Sequence, residues 1–129
     1  TMPGGEGFEI YLNNRLLVQR FGNSMNTVQT LQLEAANVND ELTIKYHHCG
    51  RIGKNRSLMV KNSSNQVIKL WNFTDGTDLS NPMNCKVKDL LDLGKKTTTL
   101  NLYYSSSELP NGRLLASIVT TKSKSDQAK

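Results

Sequence analysis

Apolar and polar residues alternate along most of this chain, and that period of two constrains the fold more than any other feature. Residues 8–12 alternate in this way, and Asn13-Asn14 separates them from a second extended pattern that runs to Phe21. Successive side chains of a β-strand point to opposite faces of a sheet, so alternation indicates strands with one buried face. Because Asn tolerates the positive φ angles of a two-residue turn, the sequence predicts a β-hairpin over residues 8–21.

The same alternation recurs downstream, between short segments rich in Asn, Ser, Gly and Pro. It predicts a hairpin over residues 57–73, with Ile68 and Leu70 facing the core, and a turn at 110–112 before the last strand. Ala35, at the end of a strand predicted over residues 28–35, is also predicted to face inward. The residues predicted with most support to fill one core are Leu31, Leu33, Leu42, Ile44, Leu58, Val60, Leu100 and Leu102.

A single short helix is predicted near 86–93, where apolar residues are spaced i, i+3 and i+4. Asn84 is the predicted N-terminal cap, and Gly94 is predicted to end the helix in the left-handed conformation. The segment 74–84, with its Asp, Gly, Ser, Asn and Pro residues, is predicted to be a long loop. These features together predict an all-β fold, an antiparallel β-sandwich of about seven to nine strands with one short helix.

The length of 129 residues fits one domain. We expect a flexible N-terminal segment at 1–7, a single β-sandwich domain at 8–121 and a disordered tail at 122–129. No apolar run approaches the roughly 20 residues of a membrane-spanning helix, so the chain is not predicted to be transmembrane. It begins with Thr1 instead of Met, which a removed export signal or a trimmed boundary would both produce.

The net charge is +5, with 16 Lys and Arg against 11 Asp and Glu, which permits an anionic partner. Three cations, Arg51, Lys54 and Arg56, occur together in a glycine-containing loop, and they are the candidate ligand-binding residues. The loop does not have the spacing of a phosphate-binding loop, and strands flank it where a following helix is required. Solvated surface charge is the alternative interpretation of this loop.

The sequence Tyr46-His47-His48-Cys49 contains both histidines of the chain. In a strand, His47 and Cys49 share one face and His48 takes the other, with His48 in or at the edge of the core. A metal site needs three or four ligands, so His47 and Cys49 alone support only an alternative hypothesis of metal binding. Cys49 and Cys85 are compatible with one disulfide or with two small buried thiols.

The sequence contains no pattern for nucleophilic catalysis, and its acidic residues are sparse and lie mostly in turns. It contains no G-x-S-x-G, and Cys49 points away from its neighbour His48, which is wrong for a nucleophile and base. No enzyme activity, metal or cofactor is therefore predicted. Trp71 and Tyr11 are compatible with an exposed platform for sugar stacking, and Trp71 is equally compatible with a half-buried position in a sheet.

Two stretches, Gly7-Phe8-Glu9-Ile10-Tyr11-Leu12-Asn13-Asn14 and Tyr46-His47-His48-Cys49-Gly50, resemble small exported bacterial β-sandwich proteins of uncharacterised function. The resemblance implies the fold class and a periplasmic or secreted location. The resulting hypothesis is a non-catalytic extracytoplasmic binding or structural module, with a protein or an anionic glycan as partner and no specific nucleic acid. One alternative is a polyanion- or carbohydrate-binding domain that uses the basic loop 51–56, and another is a small metal-binding protein that uses His47 and Cys49.

Overall fold

Two β-sheets pack around a shared apolar core in the computed structural model, which describes residues 5–77 and 81–121. The segments Gly22–Asn26 and Ala35–Asn37 are short 3-10 turns. The other elements, in chain order, are β1 (Gly7–Leu12), β2 (Arg15–Phe21), β3 (Gln29–Glu34), β4 (Glu41–His47), β5 (Ser57–Lys61), β6 (Val67–Asn72), β7 (Met83–Lys86), α1 (Val87–Gly94), β8 (Leu100–Ser106) and β9 (Leu109–Thr121).

The strands divide into a four-stranded sheet in the order β2-β1-β4-β7 and a five-stranded sheet in the order β3-β9-β8-β5-β6. The two sheets do not close into a barrel within the described residues. Neighbouring strands are antiparallel except for β3 and β9, which run parallel. The predicted all-β sandwich with one short helix is therefore confirmed, and the parallel pair is the one departure from an antiparallel arrangement.

The core contains all eight residues that the alternation predicts with most support, each at most 5% exposed. Two other predicted core positions are wrong. Leu70 is 50% exposed, because a β-bulge between Val60 and Lys61 shifts the register and places Trp71, not Leu70, beside Leu58. Ala35 is exposed because strand β3 ends before it and a 3-10 turn begins.

The predicted hairpin at 8–21 is confirmed, with its turn at Asn13 and Asn14. Their φ angles are 48° and 74°, in the left-handed region. Asn13 also ties the turn to the start of β4, because its backbone N–H donates to the Glu41 carbonyl at 3.0 Å and its Oδ1 accepts the Glu41 N–H at 2.9 Å. The turn therefore fixes the register of β1 against both of its neighbours.

Replacing Asn14 with valine should destabilise the fold by about 1 kcal/mol or more, because a β-branched side chain resists positive φ. Asn14→Gly is the matched control, since glycine adopts this conformation without steric strain. Urea unfolding followed by circular dichroism measures both variants. Equal stability of the two would show that the left-handed conformation at Asn14 does not matter to the fold.

Strand β7 begins at the last two residues of the segment predicted to be a loop and continues to Lys86. Met83 and Cys85 are buried against β4, while Asn84 between them is exposed and accepts a hydrogen bond from the Thr43 hydroxyl. Asn84 is therefore a strand residue, and the residue before the helix is Lys86. The pattern was too short to detect, because a four-residue strand shows only two apolar positions.

The last hairpin also turns earlier than the sequence predicts. Ser106 pairs with Leu109, so the turn falls at residues 107–108, and residues 110–112 lie within β9. The register between Tyr104 and Ser106 is interrupted there, and Gly112 has φ of 78°. The Pro-Asn-Gly sequence thus marks an irregularity within a strand and not a hairpin turn. Glycine in a strand is often found at such irregularities.

Gly94 is the last residue of α1 and does not adopt the predicted left-handed conformation. Its small size matters for packing instead, because a Cβ there would overlap Thr120 Oγ1 and lie 2.7 Å from Thr120 Cγ2. The helix can therefore approach β9 closely. None of the described helices combines the length and apolarity of a membrane span. Residues 1–4 of the predicted N-terminal segment and the predicted tail 122–129 lie outside the described residues.

Candidate functional site

A polar cluster joins the two sheets inside the core. The His48 Nε2 atom lies 2.8 Å from the Tyr104 hydroxyl and 3.5 Å from the Ser106 hydroxyl. Tyr46 from the four-stranded sheet stacks on Tyr104 from the five-stranded sheet, with ring centroids 4.3 Å apart and planes 18° from parallel. The prediction that His48 lies in or at the edge of the core is confirmed, since it is buried.

The Tyr46 hydroxyl connects this cluster to a charged pair. It donates a hydrogen bond to Glu6 Oε2 at 2.5 Å and accepts one from Arg113 Nε at 2.9 Å. Arg113 Nη2 also lies 3.6 Å from the same Glu6 oxygen. Burial and the neighbouring Glu6 carboxylate raise the pKa of Tyr46, so the hydroxyl keeps its proton at neutral pH. Sequence reasoning missed Glu6 because it falls in a segment predicted to be flexible.

The polar side chains of this cluster hydrogen-bond to one another inside the core. Burial lowers the pKa of His48, more than Glu108 and Glu6 raise it, so the imidazole is neutral at pH 7. Ser106 and His48 are only 5% and 8% exposed, which leaves no approach for a substrate to this hydroxyl and base. In the described part of the chain, every buried side-chain nitrogen and oxygen has a hydrogen-bond partner. The cluster therefore connects the sheets and offers no group to a ligand.

The lowered pKa of His48 predicts that stability falls as the pH drops below about 6.5. Below that value the histidine of the unfolded chain binds a proton and the buried one does not, so protons favour unfolding. The loss reaches about 1.4 kcal/mol for each unit by which the folded-state pKa is lowered. Urea midpoints between pH 8 and pH 5 should fall more steeply for the native chain than for a His48→Gln variant. Parallel profiles would contradict a neutral buried His48.

The basic loop does not present its three cations together. Arg51 and Lys54 are exposed, whereas Arg56 is 6% exposed. Its Nε donates to the Thr74 carbonyl and its Nη1 to the Asn81 carbonyl, both at 2.9 Å. Arg56 therefore does not face solvent with the other two cations, because its guanidinium satisfies backbone carbonyls of the neighbouring segment.

Two backbone amides of this loop also bond to carboxylates of the chain. The Lys54 N–H donates to the Glu108 carboxylate at 3.1 Å, and the Asn55 N–H donates to the Asp75 carboxylate at 2.9 Å. A Cβ at Gly53 would lie 2.9 Å from the Tyr104 hydroxyl, so the loop packs directly on the polar cluster. The chain's own carboxylates therefore take two of the donors that an external anion would need.

His47 and Cys49 are not arranged as metal ligands. His47 Nε2 lies 3.3 Å from Glu9 Oε1, and its ring lies beside the Phe21 ring at a centroid distance of 5.3 Å. Cys49 is exposed in a turn with φ of 56°, so it no longer follows the strand alternation. Within residues 5–77 and 81–121, no three His, Cys, Asp or Glu side chains come together to hold a metal.

The two cysteines are free thiols in different surroundings, so the disulfide alternative is wrong. Cys49 is exposed, against the expectation that it is buried. Cys85 is buried, and this burial, with the nearby charges of Asp89 and Glu41, raises its pKa to about 12. Only Cys49 is therefore positioned to react with a reagent in solution.

The aromatic residues do not form a sugar-stacking platform. Tyr11 lies in the four-stranded sheet and half-buried Trp71 in the five-stranded sheet. The Lys45 ammonium lies 5.0 Å from the Tyr11 ring centroid, and the Lys69 ammonium 5.6 Å from that of Trp71. Each ring thus has a lysine ammonium beside it, and the two rings lie in different sheets, so they cannot share one platform.

An apolar row crosses the solvent face of the five-stranded sheet. Leu70 pairs with Met59, Met59 with Tyr103, and Tyr103 with Leu114, so one residue of each of β6, β5, β8 and β9 stands in register. Leu70 is 50% exposed and the other three are partly exposed. We call these four residues the apolar row. Sequence reasoning missed it because it assigned Leu70 to the core and could not know which residues pair across strands.

Among the charged residues of β5, β6, β8 and β9, Lys61 shares a sheet face with the apolar row, whereas Lys69 pairs with buried Val60 and Arg113 with buried Tyr104. Strands β5, β6, β8 and β9 contain no Asp or Glu, and their charged residues are Lys61, Lys69 and Arg113. Arg113 faces Glu6, but neither lysine belongs to an ion pair among the residues that the structure describes. Lys61 lies over the Tyr103 ring at 4.3 Å. This sheet face is therefore apolar and carries the Lys61 ammonium.

No protein-family model matches the chain, and no curated protein matches it. The class that the structure defines is an all-β, sandwich-like protein with two sheets and one short helix.

Proposed function

We propose that this chain is a non-catalytic binding module that works outside the cytoplasm and meets another polypeptide through the solvent face of its five-stranded sheet. The observation that carries the proposal is the apolar row, in which Leu70, Met59, Tyr103 and Leu114 line up across four strands. Isolated apolar residues are common on protein surfaces, but a contiguous patch bordered by polar groups is typical of an interaction site.

A non-catalytic role is supported by the way the polar groups are used. His48 is bonded to Tyr104 inside the core, and Arg56 is bonded to backbone carbonyls. The exposed loop gives its amides to Glu108 and Asp75. Catalysis needs a base or nucleophile that faces a substrate, and these groups face one another.

A polypeptide suits the sheet face better than a glycan. Sugars stack on bare aromatic rings, whereas the Tyr103 ring lies under the Lys61 ammonium. Leu70 and Met59 offer aliphatic surface with no hydrogen-bonding group, which is typical of the centre of protein interfaces. Lys61, which lies on this face, favours a partner surface that brings few cations of its own.

The extracytoplasmic location rests on the resemblance to exported proteins, and Cys49 provides its test. A membrane-impermeant maleimide should label exposed Cys49 in cells with an intact cytoplasmic membrane, while buried Cys85 stays unlabelled until the protein unfolds. Labelling of Cys49 only after lysis would contradict the location.

Photo-crosslinking in living cells tests the sheet face. A p-benzoylphenylalanine residue at position 70 should give a crosslinked species of defined mass with another polypeptide. The matched control is position 16, because Leu16 is 45% exposed on β2 of the other sheet, against 50% for Leu70. Equal crosslinking at the two positions, or none at position 70, would overturn the proposal.

A further inference from the structure

Strand β6 is an edge of the five-stranded sheet. Its hydrogen bonds show which of its residues bond to β5 and which point their backbone groups to the free edge. The Phe73 N–H donates to the Arg56 carbonyl at 2.9 Å, so residue 73 faces β5. In an antiparallel pair, hydrogen-bonded and non-hydrogen-bonded positions alternate along the strand. Residues 71 and 69 therefore also bond to β5, and the backbone N–H and C=O groups of Leu70 and Asn72 point to the free edge.

We infer that the polypeptide that meets this face is a second copy of the chain, which adds antiparallel to β6 with the two-fold axis at Leu70. This inference rests on the proposed function and names its partner. Leu70 then lies opposite Leu70 of the second copy, and the apolar row continues unbroken through both copies. Residues opposite each other in such a pair share one face of the sheet.

The register follows from the continuity of the apolar row and from charge. Backbone phase permits an axis at Lys69 or Trp71 as a non-hydrogen-bonded pair, but an axis at Trp71 would place Leu70 opposite Asn72 of the second copy and interrupt the apolar row. An axis at Lys69 would place two ammonium groups face to face. With the axis at Leu70, Lys69 lies opposite Trp71 of the second copy, and this indole already faces a lysine within one chain at 5.6 Å.

The remaining charges tolerate this pairing. The two Lys61 side chains stand on β5 of each copy, three inter-strand spacings apart, or about 14 Å. That distance exceeds the screening length of about 8 Å at physiological ionic strength, so their repulsion is small. No carboxylate on β5, β6, β8 or β9 is left buried without a partner, because these strands have none.

The other sheet edges are less suited to self-addition. Strand β7 has four residues, β3 is polar at its exposed positions, and β2 carries Arg15 and Arg20. Strand β6 has two features that limit pairing, the bulge near Val67 and the charge of Lys69. The shared edge is therefore short, below the roughly 1,200 Å² of stable interfaces, and the dimer is weak and reversible.

Disulfide trapping tests the register. In a hydrogen-bonded pair the Cα atoms are about 5.5 Å apart, which a disulfide can span. In a Cys49→Ser background, Leu70→Cys should form a covalent dimer on mild oxidation at least about tenfold faster than Leu16→Cys, because pairing raises the effective thiol concentration. Buried Cys85 remains in both proteins and does not compete.

Sedimentation measures the association without trapping. The apparent mass of the native chain should rise above 14.4 kDa with concentration. Leu70→Lys should abolish the rise, because two lysines would lie opposite each other, and Leu16→Lys should leave it intact. A constant monomer mass, or trapping no faster at position 70 than at position 16, would overturn the inference. Photo-crosslinking in cells then distinguishes failure of this inference from failure of the proposed function. Capture of a different polypeptide at position 70 would contradict the second copy and keep the proposed function, and no capture would contradict both.

Discussion

Replacing Tyr104 with alanine is expected to destabilise the fold by about 3–5 kcal/mol, the range seen when a buried aromatic side chain is truncated. Tyr104 has no exposed surface, and its ring stacks on Tyr46 across the two sheets at 4.3 Å. Its hydroxyl is also the hydrogen-bond partner of buried His48 at 2.8 Å. The substitution therefore removes the aromatic stack between the sheets and leaves the His48 Nε2 atom with only the more distant Ser106 hydroxyl, at 3.5 Å.

A Tyr104→Phe variant separates these two effects. It keeps the ring and removes only the shorter hydrogen bond of His48, so it should lose about 1–3 kcal/mol. Urea unfolding at pH 7.5, where His48 is neutral, compares the native chain with both variants. If Tyr104→Ala were no less stable than Tyr104→Phe, the stacked tyrosines would not hold the sheets together.

Gly7→Ala is expected to give the second large loss, about 1–3 kcal/mol or more, by overpacking. A Cβ at Gly7 would overlap the Phe21 ring and lie 2.5 Å from the Arg20 carbonyl oxygen. The Phe21 ring lies over this glycine and beside the His47 ring, so it fills the space that a side chain would take. A neighbouring aromatic ring often covers a strand glycine in this way.

Gly94→Ala provides a matched comparison, because the three nearest atoms to its Cβ all belong to the Thr120 side chain. A second change, Thr120→Gly, should therefore recover part of the loss at Gly94. Phe21→Ala should not recover the loss at Gly7 in the same way, since the Arg20 carbonyl is backbone and cannot withdraw. Full recovery of Gly7→Ala by Phe21→Ala would contradict the close backbone approach. Thermal unfolding of the single and double variants measures both.

Sequence patterns correctly predicted the parts of the fold that are determined by residues close together in the chain. The turn at Asn13 and Asn14 and the inward phase of most strands follow from positive φ and from alternation, which are properties of neighbouring residues. Leu70 was misplaced because its face depends on a bulge that appears only when β5 and β6 pair. Strand β7 was missed because its four residues are held by β4 and show little pattern of their own.

The candidate site was harder to predict, because it depends on contacts between distant segments. The apolar row consists of four residues on four strands, and no sequence spacing connects them. The burial of Arg56 follows from carbonyls of Thr74 and Asn81, which the chain brings back beside it. The cluster of charges in the sequence indicated a binding loop. The position of the Arg56 guanidinium is instead determined by its hydrogen bonds to these carbonyls.

Hydroxyl-radical footprinting of the unmodified protein in cells tests most directly whether the five-stranded sheet is the binding face. Met59 and Tyr103 are partly exposed in the isolated chain, and so is Tyr11 on the opposite sheet. In cells, Met59 and Tyr103 should be oxidised less than in the dilute purified protein, while Tyr11 should be oxidised to the same extent in both. Equal oxidation of all three, or protection of Tyr11 instead, would contradict a partner on this face.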